Sequence, residues 1–165
     1  GDLLQDWSLH VGTSNSKSIR YMNCIILSLR NFDYNYVYSF FSYHCLRNTI
    51  FQDNEDEFVY AFLDIFPQKL GHTLIVPKIE IDHFSEVPEP YYSRIFQVAK
   101  KLAPAIKIAT NCTRVCTMMI GYEVPHCHYH LIPTMQLSDA IFSQKPQADM
   151  KELQMMQEKI IKNID

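Results

Sequence analysis

Three histidines alternate along one short segment near the end of the chain: His126, His128 and His130. If residues 125–132 form a strand, alternate side chains share a face, so the three imidazoles project together and Cys127 points the other way. Imidazole changes its charge near pH 7, and neighbouring like charges disfavour full protonation of such a cluster. One neutral imidazole can therefore attack phosphorus while its neighbours donate hydrogen bonds to phosphate oxygens.

The same three residues allow two other interpretations. A three-histidine set can hold zinc with one coordination position open. Consecutive alternating residues on one strand make a tetrahedral site harder to form, although two of them and a distant ligand could build one. A histidine-lined pocket that binds its ligand without turnover is the other alternative.

The elements that position these histidines can be predicted from periodicity. Four segments rich in β-branched and apolar residues predict strands, at residues 58–63, 73–76, 114–120 and 125–132. The sequence Gly-Tyr-Glu at residues 121–123 predicts a hairpin turn between the last two strands. Residues 90–109 place apolar side chains at helical spacing, and Pro104 should kink or interrupt that helix. Residues 149–163 predict a second helix with Asp149 at its N-terminus. This order favours an antiparallel α+β domain.

The first 44 residues have a different character. Aromatic residues alternate between positions 32 and 40, which predicts a strand with one buried face. We interpret residues 1–44 as an N-terminal extension of unknown role and residues 45–165 as the domain.

Composition excludes several classes of protein. The chain has 165 residues, enough for one domain with an extension, and a net charge of −3 gives no indication of nucleic-acid or acidic-membrane binding. Its longest apolar stretch near the start is too short to span a bilayer. The five cysteines form no C-x-x-C pair, so we expect reduced thiols and a cytoplasmic location rather than a disulfide framework.

Two sequence blocks carry a resemblance to a known family. Residues 121–132 are GYEVPHCHYHLI and residues 61–78 are AFLDIFPQKLGHTLIVPK. Together they resemble the histidine-triad (HIT) family, most closely its bacterial members with a Gly-x-Glu-Val-Pro-His-x-His-x-His motif. The resemblance covers roughly residues 50–165. It implies an antiparallel sheet of about five strands with a long helix and a C-terminal helix, a homodimer, and binding of a purine nucleotide or nucleotide conjugate.

The resemblance also implies residue roles. His128 would attack the α-phosphorus, His126 would orient and support it, and His130 would contact the phosphate. His72 would complete the cluster. Asp64 would accept hydrogen bonds from the ribose hydroxyls, as a carboxylate can. The remaining predicted substrate-binding residues line the base or border the phosphates: Phe62 and Ile65 for the base, and Gly121, Tyr122, Glu123 and Val124 for the phosphates.

The expected reaction is cleavage at the α-phosphate of nucleoside phosphoramidates or dinucleoside polyphosphates through a nucleotidyl-histidine intermediate. It requires no cofactor, and a metal is not predicted. The chain departs from many members at Met118, Met119 and Tyr122, where they have an Asn before the triad and a Gln after the turn glycine. These departures motivate an alternative, a non-catalytic nucleotide- or partner-binding module on the same fold. A metal-dependent hydrolase is the third hypothesis.

Overall fold

A computed structural model describes residues 56–122 and 124–164. Within them lies a four-stranded antiparallel sheet of order β1-β2-β4-β3, with two helices. The strands are β1 (Val59–Leu63), β2 (Thr73–Pro77), β3 (Arg114–Met119) and β4 (Tyr129–Thr134). The helices are α1 (Tyr91–Thr110) and α2 (Met150–Lys162), and two short 3-10 turns span Phe84–Glu86 and Leu137–Ala140.

The predicted α+β fold is confirmed, although the sheet has four strands in the described part of the chain rather than about five. The predicted aromatic strand at residues 32–40, the extension at residues 1–44 and Glu123 lie outside the described residues.

The two faces of the sheet have different partners. Alternate apolar residues of β1, with Ile75 and Leu131, pack with the buried faces of α1 and α2 into the main hydrophobic core. The other face includes a smaller buried cluster of Phe62, Leu74 and Val76. His130 is paired with Leu74 of β2 on one side and with Met118 of β3 on the other, so it lies on this second face in the middle of the sheet.

The long helix continues through Pro104, so of the predicted kink or interruption, the interruption does not occur. Pro104 is exposed, whereas its neighbours Leu102 and Ala105 are fully buried. Proline has no N–H to donate to the carbonyl one turn earlier in the helix. On the solvent side that carbonyl can bond water instead, and packing of the buried face can hold the helix together. The predicted core face of α1 is confirmed at Ile95, Val98, Leu102 and Ile106.

The C-terminal helix begins where the sequence predicted. The Asp149 carboxylate accepts hydrogen bonds from the backbone N–H groups of Lys151 and Glu152, which caps the helix. Leu153, Met156 and Ile160 are buried against the core. No helix in residues 56–122 and 124–164 combines the length and the apolar character that crossing a bilayer requires.

The segment before β4 differs most from the prediction. β3 ends at Met119 and β4 begins at Tyr129, so a connection of residues 120–128 replaces the predicted tight hairpin. Across the sheet, β2 ends at Pro77, and beyond it the Cys127 N–H donates to the carbonyl of Ile81 in the following loop. His126 and His128 therefore lie in this connection, and only His130 lies on a strand.

Candidate active site

Two buried imidazoles form the base of the site. His72 lies immediately before β2, and its Nε2 is 2.9 Å from Nδ1 of His130 on β4. The ring centroids are 5.2 Å apart, and the two side chains are almost fully buried. The antiparallel pairing of β2 with β4 thus brings together residues that are 58 positions apart in sequence.

Fixed partners decide which nitrogen of each ring carries the proton. The backbone N–H of Gln68 donates to His72 Nδ1 at 3.2 Å, so the His72 proton is on Nε2 and is donated to His130 Nδ1. The His130 proton is then on Nε2, which lies 3.4 Å from the carbonyl oxygen of Ile120. This last hydrogen bond is long, so Nε2–H can exchange that partner for a better acceptor.

Burial keeps this pair neutral. The pKa of His72 is lowered to about 3 by burial first and by the neighbouring His128 second. The pKa of His130 is also lowered to about 3, by burial and then by His128 and His72. Since both rings are uncharged at neutral pH, His130 acts there as a hydrogen-bond donor rather than as a cation.

His128 is oriented differently. Its Nδ1 lies 2.6 Å from the backbone carbonyl oxygen of His126, which can only accept, so Nδ1 carries a proton, and in the neutral ring the lone pair is on Nε2. Its ring is partly exposed and lies 4.8 Å from the His130 ring. Gly121 lies beside it: a Cβ built there would be 3.8 Å from His128 Cε1. The glycine predicted to border the phosphates is therefore next to the ring predicted to attack.

The imidazole of His126 does not project with the other two, which corrects the prediction that all three share a strand face. Its Nε2–H donates to the carbonyl of Pro77 at 3.0 Å, and the ring is buried. Burial lowers its pKa, against the opposing effect of the Pro77 carbonyl. A turn in which the His126 N–H donates to the Val124 carbonyl at 2.8 Å precedes it and turns the chain out of strand geometry. The contact of His126 with His128 is made by its backbone carbonyl.

Asp64 lies on the other side of His72. Its Oδ1 accepts from the Phe66 N–H at 2.9 Å, and its Oδ2 is 3.4 Å from His72 Nδ1. Because His72 is neutral with a lone pair on Nδ1, this contact is not an ion pair. Burial raises the pKa of the Asp64 carboxyl, although 19% of the side chain remains exposed. The carboxylate can therefore accept hydrogen bonds from a hydroxyl-bearing ligand.

The other predicted substrate-binding residues are distributed less uniformly. Phe62 is buried in the smaller cluster on the second face of the sheet, whereas Ile65 is buried in the main core. The structure does not bring these two side chains into one cluster. Tyr122 is 97% exposed, and Val124 is partly buried.

Sequence reasoning missed two residues of the site. Gln68 lies within one of the two family blocks, which imply no role for it, yet its N–H fixes the His72 tautomer. Phe142 was not identified at all, and its ring contacts both His72 and His130. A lone aromatic in a polar loop was the signal available for it. Cys127, predicted to point away from the triad, is buried in the main core, and burial raises its thiol pKa to about 11.

Within residues 56–122 and 124–164, no three His, Cys, Asp or Glu side chains form a group that could hold a metal ion.

Comparison with known proteins gives a consistent result. The HIT domain matches residues 48–137, more than half of the chain. A HIT-like protein of Methanocaldococcus jannaschii, uncharacterised, is 40% identical over 87 residues, which cover 48% of this chain and 64% of that protein. Adenosine 5′-monophosphoramidase HNT1 of Saccharomyces cerevisiae is 39% identical over 80 residues, covering 48% of this chain and 51% of the enzyme. Both alignments thus span less than two thirds of the relative.

Solved structures agree with the sequence match. A HIT-like protein from Bartonella henselae, described as involved in cell-cycle regulation, superimposes with a TM-score of 0.60 at 27% identity, covering 70% of this chain and 84% of that one. The family match, the shared fold and the histidines of the site point the same way: the chain belongs to the HIT, or histidine-triad, family.

Proposed function

We propose that the protein hydrolyses a nucleotide conjugate at its α-phosphate through a nucleotidyl-histidine intermediate. One observation carries the proposal: the His128 Nδ1–H donates to the His126 carbonyl, which leaves the Nε2 lone pair available for attack. A neutral imidazole held in one tautomer is a competent nucleophile near pH 7.

In the first step, the lone pair of His128 Nε2 forms a bond to the α-phosphorus. The bond from phosphorus to the leaving group breaks, and the leaving group departs with that electron pair and takes up a proton from solvent. In the second step, water attacks the same phosphorus and gives up a proton to solvent, the bond to Nε2 breaks with its electron pair returning to Nε2, and the nucleoside monophosphate is released. His128 is regenerated, so atoms and charges balance without a cofactor.

His130 would stabilise the charge that develops on the phosphate. Its Nε2–H has a long hydrogen bond to Ile120, and its Nδ1 is held by His72. A phosphate oxygen is a stronger acceptor than a carbonyl, so substrate binding would replace the Ile120 contact. A fixed donor pointing at developing charge is a usual source of transition-state stabilisation.

The nucleoside would be recognised at Asp64. One oxygen of its carboxylate accepts from the Phe66 N–H, and the carboxylate can still accept hydrogen bonds from the two hydroxyls of a ribose. The relative from Saccharomyces cerevisiae is an adenosine 5′-monophosphoramidase, which supports a purine nucleoside phosphoramidate as the substrate to test first. Dinucleoside polyphosphates are the second class.

The proposal also includes the cellular compartment and the oligomeric state of the protein. Cys112, Cys116 and Cys127 are free thiols, which supports a reducing compartment such as the cytoplasm. We expect a homodimer, as the resemblance implied, and analytical ultracentrifugation of the full chain would test it.

The decisive experiment is release of AMP from adenosine 5′-phosphoramidate with a chelator present. The intact chain should release AMP, and His128→Ala should reduce the rate by at least about a thousandfold. His83→Ala is the matched control, since His83 is an exposed histidine on a 3-10 turn. Acid quenching followed by peptide mass spectrometry should place the nucleotidyl adduct on His128, and an adduct on any other residue would refute the mechanism.

Met118 favours a second candidate, a nucleotide-binding module without turnover. This apolar residue is paired with His130 across β3 and β4, where a polar side chain could have contacted the leaving group. Such a module would bind AMP, as measured by calorimetry, yet release no product from phosphoramidates or dinucleoside polyphosphates.

A further inference from the structure

A segment after β4 packs against the hydrogen-bonded pair of His72 and His130. Residues 139–148, which we call the strap, make hydrogen bonds or ion pairs to the loop between β1 and β2 at three points. Lys69 Nζ is 2.9 Å from Asp139 Oδ1, and the Ala148 N–H donates to the Ile65 carbonyl at 2.8 Å. Between them, the Gln68 amide donates to the Ser143 carbonyl at 2.9 Å and accepts from the Ser143 N–H at 3.1 Å.

The strap carries one aromatic ring into the site. The Phe142 ring centroid is 4.9 Å from that of His130 and 6.0 Å from that of His72, with interplanar angles of 81° and 83°. The adjacent Ile141 points outward and is 66% exposed. The bonds of Ser143 to Gln68 therefore fix the side of the strap that faces the histidines.

An edge-on aromatic ring in contact with both imidazoles has two physical consequences. It occupies space that water would otherwise fill, which disfavours protonation of the pair. It also restricts rotation of the His130 ring, because edge-to-face contacts of this kind are geometrically specific.

We propose that Phe142 is a positioning residue for the hydrolysis: the strap holds its ring against His72 and His130, and this fixes the orientation in which His130 meets the phosphate and so preserves the hydrogen bond that sets its tautomer. The kinetic part of this inference rests on the proposed function. The structural part, the control of the two rings, does not.

The ionisable groups facing the pair come from two other elements. Asp64, in the loop after β1, is 3.4 Å from His72, and His128, in the connection before β4, is in ring contact with His130. Both are left intact in the variants below, so a change in the pair can be assigned to the strap.

Three variants separate the contributions. Phe142→Ala removes the ring, and Phe142→Tyr retains it as the conservative variant. Gln68→Leu removes the side-chain bonds to Ser143 while keeping the backbone N–H that donates to His72. Phe84→Ala is the matched control, because the Phe84 ring also contacts a histidine, His83, at 4.7 Å on an exposed turn.

The first readout is nitrogen-15 NMR of the histidine rings in the ligand-free full chain. In the wild type, His72 and His130 should remain neutral with the proton on Nε2 from neutral pH down to about pH 5. In Phe142→Ala and Gln68→Leu, the rings should take up protons at higher pH, toward the ordinary histidine range, and show mixed tautomers. Phe142→Tyr and Phe84→Ala should behave as the wild type.

The second readout is AMP release from adenosine 5′-phosphoramidate. Phe142→Ala and Gln68→Leu should lower kcat by about tenfold with a smaller change in KM, because they loosen a group aligned for the transition state. Phe142→Tyr should restore most of the rate. Unchanged His72 and His130 signals in both disruptive variants would overturn the proposal, as would altered signals with an unchanged kcat. If the intact chain releases no AMP, the proposed function fails for this substrate, and the NMR result still decides whether Phe142 controls the pair.

Discussion

Each histidine of the site has one ring nitrogen tied to a partner that leaves the other nitrogen with a defined role. The His128 Nδ1–H donates to a carbonyl, so in the neutral ring its Nε2 carries the lone pair. His130 Nδ1 accepts from His72, so its Nε2 carries the proton and is a donor. The proposed nucleophile and the proposed donor thus lie side by side, and burial keeps the donor, His130, uncharged at neutral pH. This division follows from backbone contacts and from burial rather than from the histidines alone.

Asp64 tests nucleoside recognition at the residue scale. Asp64→Asn keeps an oxygen that can accept from the Phe66 N–H, so the loop should fold unchanged. It replaces a charged acceptor by a neutral amide, and hydrogen bonds to charged groups contribute about 1.5–3 kcal/mol. We expect the KM for adenosine 5′-phosphoramidate to rise by about tenfold or more, with a smaller effect on kcat.

The matching substrate comparison makes this prediction specific. With the 2′,3′-dideoxy analogue, wild type and Asp64→Asn should have similar KM values, because no hydroxyl remains for the carboxylate to accept from. Glu86→Gln, an exposed acidic residue of the first 3-10 turn, is the control substitution. An equal loss of affinity for both substrates would place Asp64 outside the ribose site.

The family resemblance predicted that His72 and His130 meet, but alternation placed one ring wrongly and did not show how each ring is used. His72 and His130 were expected together, and they form a hydrogen bond. The ring of His126 was expected beside them, and it instead binds the Pro77 carbonyl. Which backbone carbonyl an imidazole finds depends on the local turn, and that has no side-chain signature. The contact of Phe142 with His72 and His130 could not be predicted for a similar reason, since it depends on the path of a polar loop.

At the scale of elements, periodic segments were predicted well and the connections between them were not. The helices and the strands β1, β2 and β3 lie within a residue or two of their expected bounds because their apolar periodicity reports burial directly. The fourth strand begins four residues later than expected, at Tyr129. Hydrophobic alternation continues through residues 125–128, but the Cys127 N–H pairs with a loop carbonyl and not with β2.

Gly71 lies in the loop before β2 and immediately precedes His72 of the site. Its φ is +98°, and a Cβ there would lie 2.6 Å from the Thr110 methyl group at the end of α1. That methyl cannot move away easily, because the Thr110 hydroxyl donates to the Ile106 carbonyl at 2.7 Å. Gly71→Ala should therefore lower the free energy of unfolding by about 1–3 kcal/mol.

Urea denaturation at neutral pH measures this effect. Gly121→Ala is the matched control, because its Cβ would meet its nearest neighbours at 3.7 and 3.8 Å, ordinary contact distances. Equal stability of Gly71→Ala and Gly121→Ala would contradict the steric argument.

At the scale of the whole molecule, the buried neutral histidines make stability depend on pH. His72 and His130 have a folded-state pKa of about 3, against 6.5 for the free side chain. Between these values the unfolded chain binds more protons than the folded chain, so the free energy of unfolding falls as the pH is lowered from 6.5 toward 3. His126, whose pKa is also lowered, acts in the same direction. Asp64 acts oppositely, since its raised pKa favours proton uptake by the folded chain.

We expect the decrease to approach about 1.4 kcal/mol per pH unit for each of the two histidines once the pH is well below 6.5. Urea unfolding at about pH 7, 6 and 5 measures the slope. His130→Gln should reduce the slope by roughly one proton, whatever it does to stability at neutral pH, because a glutamine cannot take up the proton that the unfolded histidine binds. His83→Gln, which replaces an exposed histidine, is the control substitution. If His130→Gln retained the wild-type slope, His130 would not be neutral in the folded protein, and its assignment as an uncharged donor to the phosphate would fail with it.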